Sequence, residues 1–249
     1  MSVWYNGIDE SLPEAKEAFS SLESVWSLKG ESITTSSLCS VDRVELDGQG
    51  YYVKRYRRAG EGVAEFVGVS KARREWSNLA RFDRWNLPVA ALVAYGEDPW
   101  WKSPRRGVVV TAEVVGSVDL ASLASQQSPL LDDNNWVNKV SQKVASASAV
   151  MHEHKFAHND WKWRNILVSG EQSDPKIHLI DCPSGTFWWG PFFEYRRIKD
   201  IACLDKIAKK TLTSEQRREF YRLYRGGAQL DAKDERDMQK VVRFFKGRD

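Results

Sequence analysis

The sequence contains little cysteine and no long apolar run. Its 249 residues include three cysteines, Cys39, Cys182 and Cys203, whose spacing fits no metal site and which cannot all pair. They favour a reducing compartment, so we expect a cytoplasmic protein. No apolar segment is long enough to span a bilayer, and the first residues lack a basic stretch followed by an apolar core. The sequence therefore predicts a soluble or peripheral protein.

An excess of charge of one sign is also absent. Lys and Arg number 37 against 34 Asp and Glu, which gives a net charge of +3, so no nucleic-acid partner is expected. Hydrophobic residues at 42% can build a core, and the length suits a single domain over residues 1–249. Basic residues do occur in adjacent pairs, which could contact anionic lipid or phosphosugar or could lie on solvated helix surfaces. Examples are Arg73-Arg74, Arg196-Arg197 and Arg217-Arg218.

The most informative segment is 158–165, which reads H-N-D-W-K-W-R-N and precedes Asp181. Transfer of a phosphoryl group from a nucleotide needs a carboxylate for the hydroxyl proton, oxygen ligands for Mg²⁺ and a cation near the transferred group. Asp160, Asn165 and Lys162 have the matching chemistry. Branched residues at 166–168 and 177–180 predict a hairpin that brings these groups to one edge.

This pattern resembles the catalytic loop of the protein kinase superfamily, H-R-D-x-K-x-x-N, followed by the D-F-G motif. The resemblance implies that Asp160 is the base, that Lys162 neutralises the transferred group, and that Asn165 and Asp181 hold Mg²⁺. The chain departs from this pattern at two points. Asn159 stands where kinases have arginine, and residues 181–183 read D-C-P where kinases have D-F-G.

Upstream residues extend the resemblance. The strand pattern at 51–56 carries Lys54, which would hold the α- and β-phosphates of ATP. Its partner would be Glu75, which lies in a helical pattern, with Glu65 as the competing candidate. A buried strand is predicted at 107–116, and backbone groups from Glu113 to Val115 would bind adenine.

The glycine-rich loop of kinases is missing. No G-x-G-x-x-G precedes Lys54, and Gly48 and Gly50 lie so close to it that they predict a hairpin turn. The phosphate-covering loop would instead fall at 34–40, which is rich in small hydroxyl residues. No A-P-E follows Asp181, so we expect a small or lipid-linked acceptor and no peptide platform.

These departures are similar to those of the bacterial lipopolysaccharide kinases, the group that contains Kdo kinase, the WaaP core-heptose kinase and InaA-type proteins. The resemblance spans roughly residues 41–210. It implies ATP- and Mg²⁺-dependent phosphorylation of an inner-core sugar hydroxyl, but the motifs do not decide which sugar. We expect heptose, with Kdo as the alternative, and peripheral contact with the inner membrane. Two alternatives remain open: a non-catalytic binding module, and a kinase for a protein or an aminoglycoside-like small molecule.

The same resemblance implies an α+β, two-lobed kinase-like fold. A small antiparallel sheet with one main helix would form the N-lobe, about 1–114, and a mostly helical C-lobe would follow at about 115–249. Asp200 would be the buried aspartate that supports the catalytic loop, and the aromatic segment 188–193 would contact sugar or form core. Helices are expected at 136–154, from near Arg196, at Ser214 to Tyr224 with Ser214 as cap, and at Asp231 to Phe245.

Overall fold

A computed structural model describes residues 3–58, 69–99, 101 and 105–247. Two units can be separated along the chain. The first comprises Met1–Arg84, Val89–Val115 and Asp181–Pro183, and the second comprises Trp85–Pro88, Gly116–Ile180 and Ser184–Asp249. The competing glutamate, Glu65, lies outside the described residues.

An antiparallel sheet forms the centre of the first unit. Within the described ranges it has six strands in the order β1-β5-β6-β4-β3-β2. Their bounds are β1 Val3–Asn6, β2 Glu31–Thr35, β3 Cys39–Leu46, β4 Gln49–Tyr56, β5 Leu92–Glu97 and β6 Gly107–Ala112. Strand β6 is buried at Val108, Val109 and Val110 in succession, as expected of a strand that is covered on both faces.

Helices cover both faces of this sheet. On one face, α1 (Pro13–Ala18) and α2 (Leu22–Ser27) belong to the same apolar cluster as Phe19, Val53 and Val108. On the other face, α3 (Lys71–Arg84) contributes Ala72 to a cluster with Val109. The helical pattern around Glu75 predicted α3, whereas sequence analysis missed α1 and α2, each of which has only six residues.

The hairpin between β3 and β4 confirms the predicted turn. Leu46 pairs with Gln49, and the two residues between them, Asp47 and Gly48, have φ values of 51° and 72°. Two-residue hairpin turns of type I′ need positive φ at both central positions, which Gly adopts readily and Asp tolerates. The Asp47 carboxylate also accepts the amide of Ala15 at 2.9 Å and so anchors α1 to the turn.

The second unit is mostly helical in its described part. Its helices are α4 Leu120–Ser125, α5 Asn134–Glu153, α6 Gly190–Thr211, α7 Ser214–Tyr224 and α8 Ala232–Arg243. Short strands complete it: β7 Val118–Asp119, β8 Phe156–Ala157, β9 Ile166–Ser169, β10 Lys176–Leu179 and β11 Thr186–Phe187. The antiparallel pairing of β9 with β10 confirms the predicted hairpin. Strand β7 pairs with the other side of β9.

One predicted helix start and one predicted cap are wrong, whereas the predicted bounds of α7, Ser214 to Tyr224, are confirmed. Helix α6 begins at Gly190, well before Arg196, because Pro191 occupies its first turn, where a missing N–H costs no hydrogen bond. The cap of α7 is Thr213 and not Ser214. The Thr213 hydroxyl accepts a hydrogen bond from the amide of Gln216, and the side-chain oxygen of Gln216 accepts one from the amide of Thr213. In the described ranges, no helix combines the length and apolar character that a membrane span requires.

Gly107 provides a test of how closely α3 packs on the sheet. A Cβ at this position would lie 2.6 Å from the Cβ of Ala72, so we expect Gly107→Ala to push α3 away and to lower the free energy of unfolding by about 1–3 kcal/mol. In an Ala72→Gly background the penalty should be smaller by about 1 kcal/mol or more. Chemical denaturation of the four proteins measures both values. Equal penalties in the two backgrounds would contradict this contact.

Candidate active site

Three predicted residues of the first unit lie together. Lys54, in the middle of β4, places its Nζ 3.0 Å from Oε2 of Glu75 on α3 and 2.6 Å from Oδ1 of Asp181. Burial alone would lower the pKa of Lys54, but the charges of Glu75 and Asp181 outweigh burial and raise it. Lys54 is therefore a permanent cation held between two carboxylates.

Two further residues, neither of them predicted from the sequence, support this cluster. The hydroxyl of Tyr56 donates to Glu75, and burial raises the pKa of Tyr56 well above its usual range. Tyr56 lies two positions from Lys54 on the same face of β4, so strand periodicity could have identified it. Asn78, one turn after Glu75, donates its Nδ2 to the carbonyl of Cys182 at 2.8 Å and fixes the backbone next to Asp181. No local pattern indicates that contact.

The two residues predicted to bind adenine, Glu113 and Val115, have different surroundings. The amide of Glu113 donates to the carbonyl of Gly50, so the carbonyl of Glu113 is the backbone group that it can offer a nucleotide. Its carboxylate pairs with Arg43, whose Nη2 lies 2.7 Å from Oε2. Val115 is 80% exposed, and its backbone role in binding adenine stays a prediction.

The segment proposed to cover the phosphates, 34–40, comprises the end of β2, the turn at 36–38 and the start of β3. The hydroxyl of Ser36 accepts the amides of Leu38 at 3.3 Å and of Cys39 at 3.1 Å. A serine side chain thus already engages two amides that the sequence analysis expected to face phosphate.

The catalytic-loop residues of the second unit also form a cluster. The carboxylate of Asp160 pairs with the Nζ of Lys162 and lies 3.3 Å from Nη2 of Arg164. Burial would raise the pKa of Asp160, but Lys162 and then Arg164 outweigh it and lower the pKa. Asp160 is therefore ionised at neutral pH, which suits a group that orients a hydroxyl and accepts its proton late in the reaction.

Asn165 and Asp181 have the donor atoms that Mg²⁺ prefers, namely amide and carboxylate oxygens. Asn165 is buried, and its Nδ2 donates to the carbonyl of Asp160 at 2.9 Å, which leaves Oδ1 as the atom that it can offer a cation. Asp181 engages Lys54 through Oδ1 and can offer Oδ2. Each residue therefore fits the role of a Mg²⁺ ligand by its own contacts.

Asp200, on α6, holds the backbone of the predicted catalytic loop through hydrogen bonds. Its carboxylate is fully buried and accepts the amides of His158 at 2.7 Å and Asn159 at 2.9 Å. His152 lies 3.4 Å from the same carboxylate and bonds to the hydroxyl of Tyr224 at 2.8 Å. His152 therefore belongs to a structural network. In the described part of the chain no group of three His, Cys, Asp or Glu residues is arranged as a metal site.

Arg164 allows the electrostatics of Asp160 to be tested. Arg164 helps to lower the pKa of Asp160, so we expect Arg164→Ala to raise that pKa and Asp160 to lose its charge at a higher pH than in the unmodified protein. An NMR titration of the ¹³C-labelled carboxyl carbon measures the pKa directly. Lys139→Ala, which removes a half-buried cation that donates to the carbonyl of Ser173, is the control and should leave the titration unchanged. An unaltered Asp160 titration in Arg164→Ala would contradict the coupling.

Comparison with known proteins identifies relatives of this chain. The model of the lipopolysaccharide kinase (Kdo/WaaP) family matches residues 20–228. The lipopolysaccharide core heptose(I) kinase WaaP of Pseudomonas aeruginosa is 27% identical over 149 residues. That alignment covers 56% of this chain and 56% of the relative, so it spans little more than half the length of either.

A solved structure titled WaaP in complex with acyl carrier protein has the same fold. It superposes with a TM-score of 0.71 at 23% sequence identity and covers 91% of this chain and 90% of its own. This likeness confirms the predicted α+β, kinase-like fold. Since the family model matches most of the sequence, the chain belongs to the lipopolysaccharide kinase (Kdo/WaaP) family.

Proposed function

We propose that this protein transfers a phosphoryl group from ATP, with Mg²⁺, to a sugar hydroxyl of the lipopolysaccharide inner core; the sugar we propose is heptose, with Kdo as the alternative. The observation that carries the proposal is that the charged groups needed for phosphoryl transfer are all retained and held by specific contacts. Lys54 lies between Glu75 and Asp181, and Asp160 is held ionised beside Lys162. Such clusters of ionisable groups are typical of catalytic sites.

Each residue has a separate role in this proposal. Asp160 orients the acceptor hydroxyl and takes its proton, and Lys162 balances charge that develops on the transferred group. Lys54, held by Glu75, binds the α- and β-phosphates. Asn165 and Asp181 would hold Mg²⁺, which when bound neutralises the phosphate oxygens.

The backbone of Glu113 and Val115 would complete the nucleotide site by contacting adenine. The carbonyl of Glu113 and the exposed backbone at Val115 are the groups that can serve. Because the proposed acceptor is linked to lipid, we place the protein in the cytoplasm at the inner face of the inner membrane, in peripheral contact with it.

One observation favours the alternative of a non-catalytic module. Ser36 engages the amides of Leu38 and Cys39, so this turn offers the phosphates fewer donors than a glycine-rich loop does. Mg²⁺-dependent ATP binding separates the two functions, because a repurposed site would have lost it.

Asp160→Asn is the direct test of catalysis. The substitution keeps the shape of the side chain but removes its charge and basicity, so we expect transfer to fall by about 10²-fold or more while ATP binding is retained. The protein is incubated with ATP, Mg²⁺ and dephosphorylated core oligosaccharide, and phosphate incorporation is followed by mass spectrometry. ATP binding is measured by calorimetry.

The control for this variant is Asp174→Asn, which changes an exposed carboxylate of the same unit. It should transfer phosphate at the unmodified rate. Full activity of Asp160→Asn would overturn the assignment of the base. If the unmodified protein neither transfers phosphate nor binds ATP, the non-catalytic module is the better account.

We also propose an acylated carrier protein as a partner. The superposable WaaP structure contains acyl carrier protein, and the second unit of this chain holds a cavity of about 310 Å³, within the usual range for ligand sites. Most of its lining is apolar and includes Val140, Val144, Leu204 and Ala208. Such a lining suits an alkyl chain, because burial of methylene groups is favourable.

Filling the cavity tests this partner. We expect Ala208→Phe to occupy part of the space and to weaken binding of acylated carrier protein by about tenfold or more, with little effect on the unacylated form. Ala228→Phe, at an exposed position, is the matched control. Affinities come from calorimetry, and thermal melting checks that both variants are folded. If Ala208→Phe binds the acylated carrier protein with the affinity of the unmodified protein, the cavity does not hold the alkyl chain of the acyl group.

A further inference from the structure

Arg196 makes no ion pair with a carboxylate among the residues that the structure describes, whereas several other arginines of the second unit do. Arg197 pairs with Glu194 and Asp237, and Arg217 pairs with Asp205. Within the described ranges the guanidinium of Arg196 makes one hydrogen bond, from Nη1 to Oδ1 of Asn159 at 3.3 Å. The other N–H groups of this half-buried cation are therefore not engaged by any anion in the part of the chain that the structure describes.

Two aromatic rings fix the orientation of the Arg196 guanidinium. Its central carbon lies 4.6 Å from the ring centre of Trp188 and 5.9 Å from that of Tyr195. Stacking of this kind costs the side chain its freedom before a ligand arrives, so less entropy is lost on binding. A guanidinium that is held flat and has N–H groups to spare is suited to a carboxylate or a phosphate, which it can bind through two parallel hydrogen bonds.

The position of Arg196 connects it with the chemistry of the catalytic loop. Asn159, which it contacts, directly precedes Asp160, the proposed base. Lys199, one turn further along α6, donates to the carbonyl of the same Asn159 at 3.2 Å. An acidic group bound at Arg196 would therefore belong to a molecule whose hydroxyl is close to Asp160.

Exposed rings next to Arg196 suit the body of such a molecule. Trp189 is 74% exposed and Phe192 is 63% exposed, and both lie at the start of α6. Aromatic faces pack on the apolar faces of sugar rings, and a cation beside them adds selection for a charged sugar. The hydrogen bond to Asn159 favours an acceptor over a bilayer surface, since membrane contact does not require a link to the catalytic loop.

We propose that Arg196 is a specificity-determining residue that binds the carboxylate or phosphate of an acidic sugar in the acceptor. This inference rests on the proposed function, because it assigns a further contact to the same acceptor. It predicts that the enzyme distinguishes an acidic acceptor from a neutral one of the same shape.

The test compares two acceptors and four proteins. The acceptors are a dephosphorylated, deacylated inner-core oligosaccharide and the same compound with its carboxyl groups reduced to alcohols. The proteins are the unmodified chain, Arg196→Ala, Arg196→Lys and the control Lys210→Ala, which removes an exposed cation from the same helix. KM and kcat are measured for each pair, with thermal melting as the check on folding.

We expect Arg196→Ala to raise KM for the acidic acceptor about tenfold, the effect of one charge-assisted hydrogen bond, with kcat within about twofold. Carboxyl reduction should raise KM of the unmodified protein by a similar factor and should have no further effect in Arg196→Ala. Arg196→Lys should recover part of the loss, since it keeps the charge without the planar fork. Lys210→Ala should behave as the unmodified protein.

Binding measurements separate failure of this inference from failure of the proposed function. Tryptophan fluorescence is titrated with the two oligosaccharides in the absence of ATP, and sedimentation with anionic phospholipid vesicles is measured in parallel. Arg196-dependent preference for the acidic compound without any transfer would support the anion site and refute the sugar kinase. The inference would be overturned if neither carboxyl reduction nor Arg196→Ala changed the transfer rate or the affinity for the oligosaccharide.

Two other outcomes also overturn it. In the first, Arg196→Ala weakens vesicle binding but leaves KM for the acceptor unchanged. Arg196 would then be a membrane contact. The other is the absence of both saccharide binding and transfer by a folded protein.

Discussion

The buried carboxylate of Asp200 is the group on which the catalytic loop depends. It accepts the amides of two successive residues, His158 and Asn159, and Asn159 has a φ of 65°, in the left-handed region. Asparagine tolerates that region better than most non-glycine residues do, and the hydrogen bonds to Asp200 help to hold it there. Without Asp200, two buried or partly buried amides would lose their acceptors, at about 1–3 kcal/mol each. The loop that carries Asp160 therefore takes its shape from helix α6.

That dependence extends to other helices of the second unit. His152 on α5 links Asp200 to the hydroxyl of Tyr224 on α7, and Arg197 on α6 contacts the same hydroxyl and Asp237 on α8. Polar networks of this kind hold one arrangement when every member has a partner. The packing of four helices and the geometry of the catalytic loop are thus coupled through buried hydrogen bonds.

The first unit uses charge in a different way. Lys54 is surrounded by Glu75 and Asp181, and the hydroxyl of Tyr56 adds a further donor to Glu75. Buried ion pairs seldom add to stability, because desolvation of the charges offsets their attraction. A lysine kept charged at this point is better explained by a ligand with negative charge than by stability of the fold, and this agrees with a phosphate-binding role.

Local patterns in the sequence determined the elements and several partners of the site. Alternation in β4, the helical spacing around Glu75 and the residues at Asp47-Gly48 predicted a strand, a helix and a turn, because each depends on backbone periodicity or φ preference within a few residues. The motif at 158–165 likewise predicted a catalytic loop, and the part of its residues in catalysis stays a prediction. Only the tertiary structure showed that Asn78 holds Cys182, 104 positions away, and that Arg196 stacks on Trp188 while lacking a carboxylate partner in the described chain. Those contacts depend on how distant segments pack, and no local periodicity encodes such packing.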